Sequence, residues 1–359
     1  MSASGPVGIL LINVGTPDSP TPRDVKTYLR EFLSDPRVID INPIGRWLLL
    51  NLFILPFRPK KSAAAYKAIW GPKGSPLLVL STDLAQALQA QLGSDYRVEV
   101  GMRYGNPNIA KGIERLQEAK CRRIVFMPLY PQYSSAATGS THDFILKHMA
   151  PARNPLPFDV RGDFYNHPGF IDAVAQRAQT ELQTFNPDFV LFSYHGLPER
   201  QVRKSHTPEY DDCTLQGPCP AITPGNRYCY RAQSYETSRH LARALALKDE
   251  QWDVSFQSRL GRTPWIQPYT DELIQPLAER GIKKIAVATP SFVTDCLETI
   301  EEIGIRLKED WESLVPGGEL RLIPCVNADP AWVHALADIV RPTQDPSESS
   351  ASPIASELG

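Results

Sequence analysis

The chain has 359 residues, 42% of them apolar, and 38 basic side chains against 40 acidic ones leave a formal charge of −2. That length favours two domains over one, the apolar fraction can fill a normal core, and the balanced charge offers no electrostatic footprint for nucleic acid. No basic stretch opens the N-terminus, so no secretory leader is expected, and the six cysteines are expected to be reduced, in the cytoplasm.

In chain order, short apolar runs rich in β-branched residues recur at 7–12, 98–102, 124–127, 158–160, 189–192, 254–256, 285–288 and 320–323. Helix-compatible amphipathic stretches lie between them, at 77–92, 108–119, 169–185, 234–247 and 270–280. Strands alternating with helices predict an α/β fold with parallel sheets. Four strands in each half predict two Rossmann-like domains, 1–163 and 164–341, each a mainly parallel four-stranded sheet flanked by helices, with a cleft between them. From Pro342 the chain turns polar and low in complexity, so 342–359 reads as a disordered tail.

The longest apolar run, 47–57, is shorter than the about 20 residues that a bilayer crossing needs. Arg46 precedes it, and Arg58, Lys60 and Lys61 follow. Two readings stand: a core helix, or an exposed apolar lip that meets a membrane or a greasy ligand.

Polar residues gather just after the strands, where open α/β sheets bind ligands. Asn13–Pro17 written out is Asn-Val-Gly-Thr-Pro; Arg103 and Tyr104 follow the second run, and Tyr130 and Tyr133 the third. In the second half, His195 follows the 189–192 run, and Glu298 and Glu302 follow 285–288 at the start of a helix, four apart and on one face. A histidine and two stacked carboxylates suit proton and metal handling. Neither a G-x-G-x-x-G turn after a strand nor a Walker A loop is present, which removes support for dinucleotide and NTP chemistry.

Five segments together resemble the ferrochelatase family, over nearly the whole chain: LLINVGTP at 10–17, LYPQYSSAATGS at 129–140, SYHGLPER at 193–200, FQSRLGRTPWIQPYTDE at 256–272 and TDCLETIEEI at 294–303. The resemblance implies two Rossmann-like domains around a porphyrin cleft, and a lyase that inserts ferrous iron into protoporphyrin IX in haem synthesis. It matches His195 and Glu298 to the family's principal catalytic pair, in contact with the substrate iron, and Glu302 to its polar path. Arg103, Tyr104, Trp265 and Phe292 match its cleft walls, with Tyr130 and Tyr133 as further substrate-binding candidates. It implies Fe2+ as a substrate, no organic cofactor, and a cytoplasmic protein with peripheral membrane contact as a further expectation. Metallation of coproporphyrin and non-catalytic tetrapyrrole binding are the competing readings; retention of His195 with both glutamates favours chemistry, and the apolar 47–57 run favours the less polar porphyrin.

Cys213, Cys219 and Cys229 fall close together in a polar, Pro-rich stretch that does not look like core packing. Some family members hold a [2Fe–2S] cluster, which needs four thiolates, and these three are the candidate ligands here. A fourth is not evident: Ser135 stands where animal enzymes place a cluster cysteine, and Cys121, Cys296 and Cys325 sit by strands or in the site segment. Zinc held by the three thiols and His206, and three free thiols, are the alternatives.

Overall fold

A computed structural model describes residues 5–341 apart from 152, 155, 211 and 262, so the tail expected from residue 342 lies outside the described residues. Eight strands form two four-stranded, wholly parallel sheets. The first contains β1 (Val7–Thr16), β2 (Tyr96–Gly105), β3 (Arg123–Pro128) and β4 (Phe158–Val160) in the order β2-β1-β3-β4. The second contains β5 (Phe189–His195), β6 (Trp252–Gln257), β7 (Lys284–Ala288) and β8 (Glu319–Leu322) in the order β6-β5-β7-β8. Each order reverses beside its first strand, between β1 and β3 and between β5 and β7. That reversal opens a crevice at the carboxyl ends of the strands.

All eight apolar runs are strands. Central strands of parallel sheets are covered on both faces and so read as unbroken apolar runs, and β1 and β5 are buried over nearly their full length. Helices cover both sheets. Pro76–Leu92 and Pro168–Phe185 each start on a proline at the first turn, where no backbone N–H is needed. The last described helix, Pro330–Val340, packs against both of these helices and so returns the chain to the first half. Its Trp332 is fully buried and stacks on Phe164 at 5.5 Å, inside a core that runs through both halves.

The 47–57 run is not core. Helix Pro43–Leu48 passes into a π-helical turn at Leu49–Ile54, and Ile44, Trp47, Leu48, Leu49, Leu52, Phe53 and Phe57 are all exposed, Phe57 by 74%. Leu50 and Leu55 turn inward and are buried, and Ile54 packs partly buried against the same cluster. Among the described residues no helix is long and apolar enough to cross a membrane.

Candidate active site

His195 is the last residue of β5 rather than lying past its end, because the strand runs beyond the expected 189–192 to His195, and it pairs in register with Gln257 of β6. Its carbonyl accepts from the Tyr230 hydroxyl at 2.8 Å, and its backbone N–H donates to Ser291 Oγ at 3.2 Å. The ring lies between Trp265 and Phe292, with centroids at 6.5 and 6.4 Å. His195 Nδ1 is 2.6 Å from the Gly196 carbonyl oxygen. A carbonyl can only accept, so Nδ1 carries the hydrogen and, in the neutral ring, Nε2 keeps the lone pair. The turn after the strand admits only glycine: a Cβ on Gly196 would stand 2.8 Å from the Gln257 carbonyl oxygen and 3.2 Å from the Trp265 ring.

Glu298 and Glu302 lie on Leu297–Leu307, which is π-helical, not α-helical as expected, and continues as the α-helix Lys308–Leu314. Its hydrogen bonds close five residues back, a rare geometry that is frequent at functional sites. The start of this helix is fixed by Asp295, a buried carboxylate that no cation pairs among the described residues. It accepts instead from Asn327 Nδ2 at 2.8 Å, Thr299 Oγ1 at 3.0 Å and the Cys325 N–H at 3.2 Å, and its own N–H donates to Asn327 Oδ1. Glu302 is held by Ser258, whose N–H donates at 2.8 Å and whose hydroxyl donates to the other carboxylate oxygen. Ser258 takes a left-handed φ of 67° at this position, uncommon for a residue with a side chain and frequent at functional sites. Gln257 Nε2 donates to the Glu298 carbonyl at 2.7 Å, and its Oε1 accepts from Ser193.

The first half supplies the surroundings of the Glu298 carboxylate. Helix Arg58–Ile69 packs on the π-helix, and Leu297 packs into the cluster built by Tyr28, Tyr66 and Tyr104. Burial pushes the Tyr28 and Tyr66 hydroxyls and the Cys296 thiol well above their usual range; the Glu298 charge adds next for Tyr66 and Cys296, and after the neighbouring Tyr66 for Tyr28, so all three stay protonated. Burial lowers Arg58, and the Glu298 carboxylate opposes that shift. Thus Glu298 faces neutral hydroxyls and one guanidinium.

Arg103 and Tyr104 stand one layer back. Arg103 donates to Asp35 Oδ2 at 2.7 Å and Ser140 Oγ at 2.8 Å, and the buried Tyr104 donates to the same Asp35 oxygen at 2.9 Å. Burial would raise Asp35, but the Ser140 hydroxyl, the Arg37 N–H, Tyr104 and the Arg103 charge together hold it below its ordinary value. The end of β1 needs glycine here, because a Cβ on Gly15, at φ +115°, would lie 1.7 Å from the Tyr104 carbonyl oxygen. Tyr130, beside Thr141 and Arg103, is pushed up to about 12 by burial. Tyr133 packs edge-on against Tyr228 at 5.2 Å, apart from the His195 surroundings. Trp265 and Phe292 therefore join His195, whereas Arg103, Tyr104, Tyr130 and Tyr133 belong to the supporting first half.

The sequence reading passed over Tyr28, Arg58 and Tyr66, whose approach to Glu298 depends on how the halves pack. Ser258 carried a readable signal, a polar residue directly after β6. Asp40 was also missed. It precedes the lip and pairs with Arg200 and, at 2.7 Å, with Lys204, on the helix just after the His195 turn.

Two of the three clustered cysteines are core residues after all. Cys219 and Cys229 are buried in the main core and Cys213 packs against it, because the polar stretch folds back over helix Tyr230–Ala244. Burial raises both buried thiols, Cys229 to about 11, and Arg231 Nη1 already donates to Cys219 Sγ at 3.0 Å. Among the described residues no group of three or more His, Cys, Asp or Glu side chains is arranged to hold a metal, with or without His206. Three thiols are one short of the four thiolates that a [2Fe–2S] centre needs.

The ferrochelatase family model matches residues 6–344. The chain belongs to the ferrochelatase family. It is 48% identical over 336 residues to a ferrochelatase from Coxiella burnetii strain Dugway 5J108-111, covering 93% of each chain. It is also 48% identical over 334 residues to a ferrochelatase from Legionella pneumophila strain Lens, covering 93% of this chain and 98% of the relative. Among solved structures, SirB from Bacillus subtilis with Fe3+ aligns at a TM-score of 0.52 and 13% identity over 96% of this chain and 98% of that one. The sirohydrochlorin chelatase SirB from Bacillus subtilis subspecies spizizenii in complex with cobalt aligns at 0.51 and 10% identity, over 93% and 94%. At such identities the likeness shows the fold alone, a two-sheet chelatase architecture.

Proposed function

We propose that this ferrochelatase-family chain is a lyase that inserts ferrous iron into protoporphyrin IX, the iron arriving as a substrate. The observation that supports the reading is the hydrogen bond of His195: with Nδ1–H spent on the Gly196 carbonyl, Nε2 of the neutral ring is the nitrogen left to accept a proton. Metallation exchanges two pyrrole N–H protons for one Fe2+, so the site must accept protons while it holds a cation. Neutral imidazole titrates in the right range for the first task, and carboxylate oxygens suit a hydrated divalent ion.

In this reading His195 Nε2 takes a pyrrole proton as the nitrogen lone pair turns to the metal. Glu298, set among neutral hydroxyls and Arg58, offers its carboxylate to the iron or to the second proton. Glu302, tied to Ser258, continues the polar path toward solvent. Trp265 and Phe292 give flat faces against which a bent macrocycle can rest, and strain of roughly 1–5 kcal/mol in it is offset by contacts elsewhere. Arg103, Tyr104 and Tyr130 serve the same cleft by bracing its first-half wall, whereas Tyr133, the remaining substrate-binding candidate, lines a different cavity. The exposed lip, followed by the exposed Lys60 and Lys61, is where an apolar porphyrin would enter and where the protein would touch an anionic membrane surface. The clustered cysteines take no part in the reaction.

The deciding experiment is an anaerobic assay with Fe2+ and either protoporphyrin IX or coproporphyrin III, read by the product spectrum. Faster turnover of protoporphyrin is expected. Preference for coproporphyrin would overturn the substrate, and binding of either without metallation would overturn the enzyme reading.

A further inference from the structure

A second cavity lies between the halves, and its lining includes none of His195, Glu298 and Glu302. It has a volume of about 520 Å³, within the range of small-molecule sites. Arg37, Asp40, Tyr133 and Ser135 line it from the first half, and Lys204 and Tyr228 are among its lining from the second. Of the charged groups, Asp40 is already neutralised by Arg200 and Lys204 and accepts from Gln201 besides. Arg37 is left over. Its side chain makes no ion pair among the described residues and donates only from Nη1, to Ser135 Oγ at 3.0 Å. The Tyr133 hydroxyl comes in at the same place: a Cβ on Gly139 would lie 3.2 Å from Arg37 Nη1, 3.5 Å from Ser135 Oγ and 3.6 Å from the Tyr133 oxygen. One unbalanced guanidinium therefore stands with two hydroxyls at one end of a cavity, and the rings of Tyr133 and Tyr228, 5.2 Å apart, stand beside them.

We propose that this cavity binds a small organic carboxylate, with Arg37 as its anchor, at a site separate from the porphyrin cleft. Arg37 retains N–H donors that match the two oxygens of a planar carboxylate, and the Tyr133 hydroxyl adds a donor at the same point. The tyrosine rings give the carbon body an amphipathic wall. The cavity also backs onto the catalytic strand, because Tyr230, which lines it, donates to the His195 carbonyl.

The test is isothermal titration of the full chain with benzoate, citrate and inorganic phosphate at constant ionic strength. Saturable binding of a carboxylate is expected, weakened about tenfold or more by Arg37→Gln and less by Tyr133→Phe. Lys111→Gln, in an exposed pair with Glu114, should leave it unchanged. Tyr133→Phe keeps the ring and its packing, so it carries the test if Arg37→Gln fails to fold. Four results would each overturn the proposal: no saturable binding of either acid, undiminished binding in the folded variants, phosphate binding as tightly as the carboxylates, or full displacement of the acid by protoporphyrin IX. The last would make the cavity part of the porphyrin's own site.

Discussion

At the scale of residues, His195 is held by backbone: its own carbonyl and N–H are both engaged, and its ring nitrogen is tied to the next carbonyl. His195→Ala removes only the ring, so turnover should fall below detection while the melting temperature and the quenching of tryptophan by bound porphyrin stay near wild type. Near-normal turnover in that variant would refute the proton-acceptor role. Asp35 gives a prediction of a different kind. Its carboxyl is depressed below the ordinary 3.8, so the stabilisation from its network is complete above that value and is lost as pH falls through the lower, folded one. Asp35→Asn should therefore melt below wild type at neutral pH, and the gap should close as the solution is acidified below about pH 4. A gap that is constant or widens on acidification would show that the ionised carboxylate is not what stabilises.

At the scale of elements, the strands were readable because burial on both faces leaves an unbroken apolar signature, which β1 and β5 carry in full. The π-helix was not. Glu298 and Glu302 share a face at either helical pitch, so the side-chain pattern cannot tell five-residue hydrogen bonding from four; the Asp295–Asn327 anchor that fixes the helix start is long-range. Composition left the 47–57 segment undecided for a similar reason, since an apolar run looks the same against a core as against solvent. The exposure of Leu49 and Phe53 now separates the outcomes. Replacing both by Ser should change stability by no more than about 1 kcal/mol, against roughly 2–5 kcal/mol for each core truncation, and should reduce sedimentation with anionic vesicles. A steep fall in melting temperature, or unchanged vesicle binding, would count against an exposed contact surface.

At the scale of the whole molecule, the strand order of the first half is repeated in the second, and the Glu298 surroundings draw on both halves. Contacts of this kind leave little trace in the chain. Arg58 and Tyr66 read as ordinary members of an amphipathic segment until the halves are joined. The cysteine-rich stretch misled for the opposite reason, because its polar, Pro-rich composition hides two thiols that point into the core. Protein purified without oxygen should accordingly show no visible absorption bands and no acid-labile sulfide, and should react with about three thiols at this stretch once denatured. Bands with sulfide would require a fourth ligand from outside the described residues.

The return of helix Pro330–Val340 to the first half bears on how the chain is made. A ribosome releases residues in order, and domains generally fold as they emerge, so both sheets can form while that helix is still in the exit tunnel. Until it emerges, Phe164 and Phe170 have no Trp332 to pack against, and the two halves lack the segment that spans them. The nascent protein therefore waits, nearly complete, with an apolar seam open to chaperones and to other chains. Completion of the fold is timed by the emergence of Pro330–Val340 rather than by the catalytic residues, all of which are synthesised earlier.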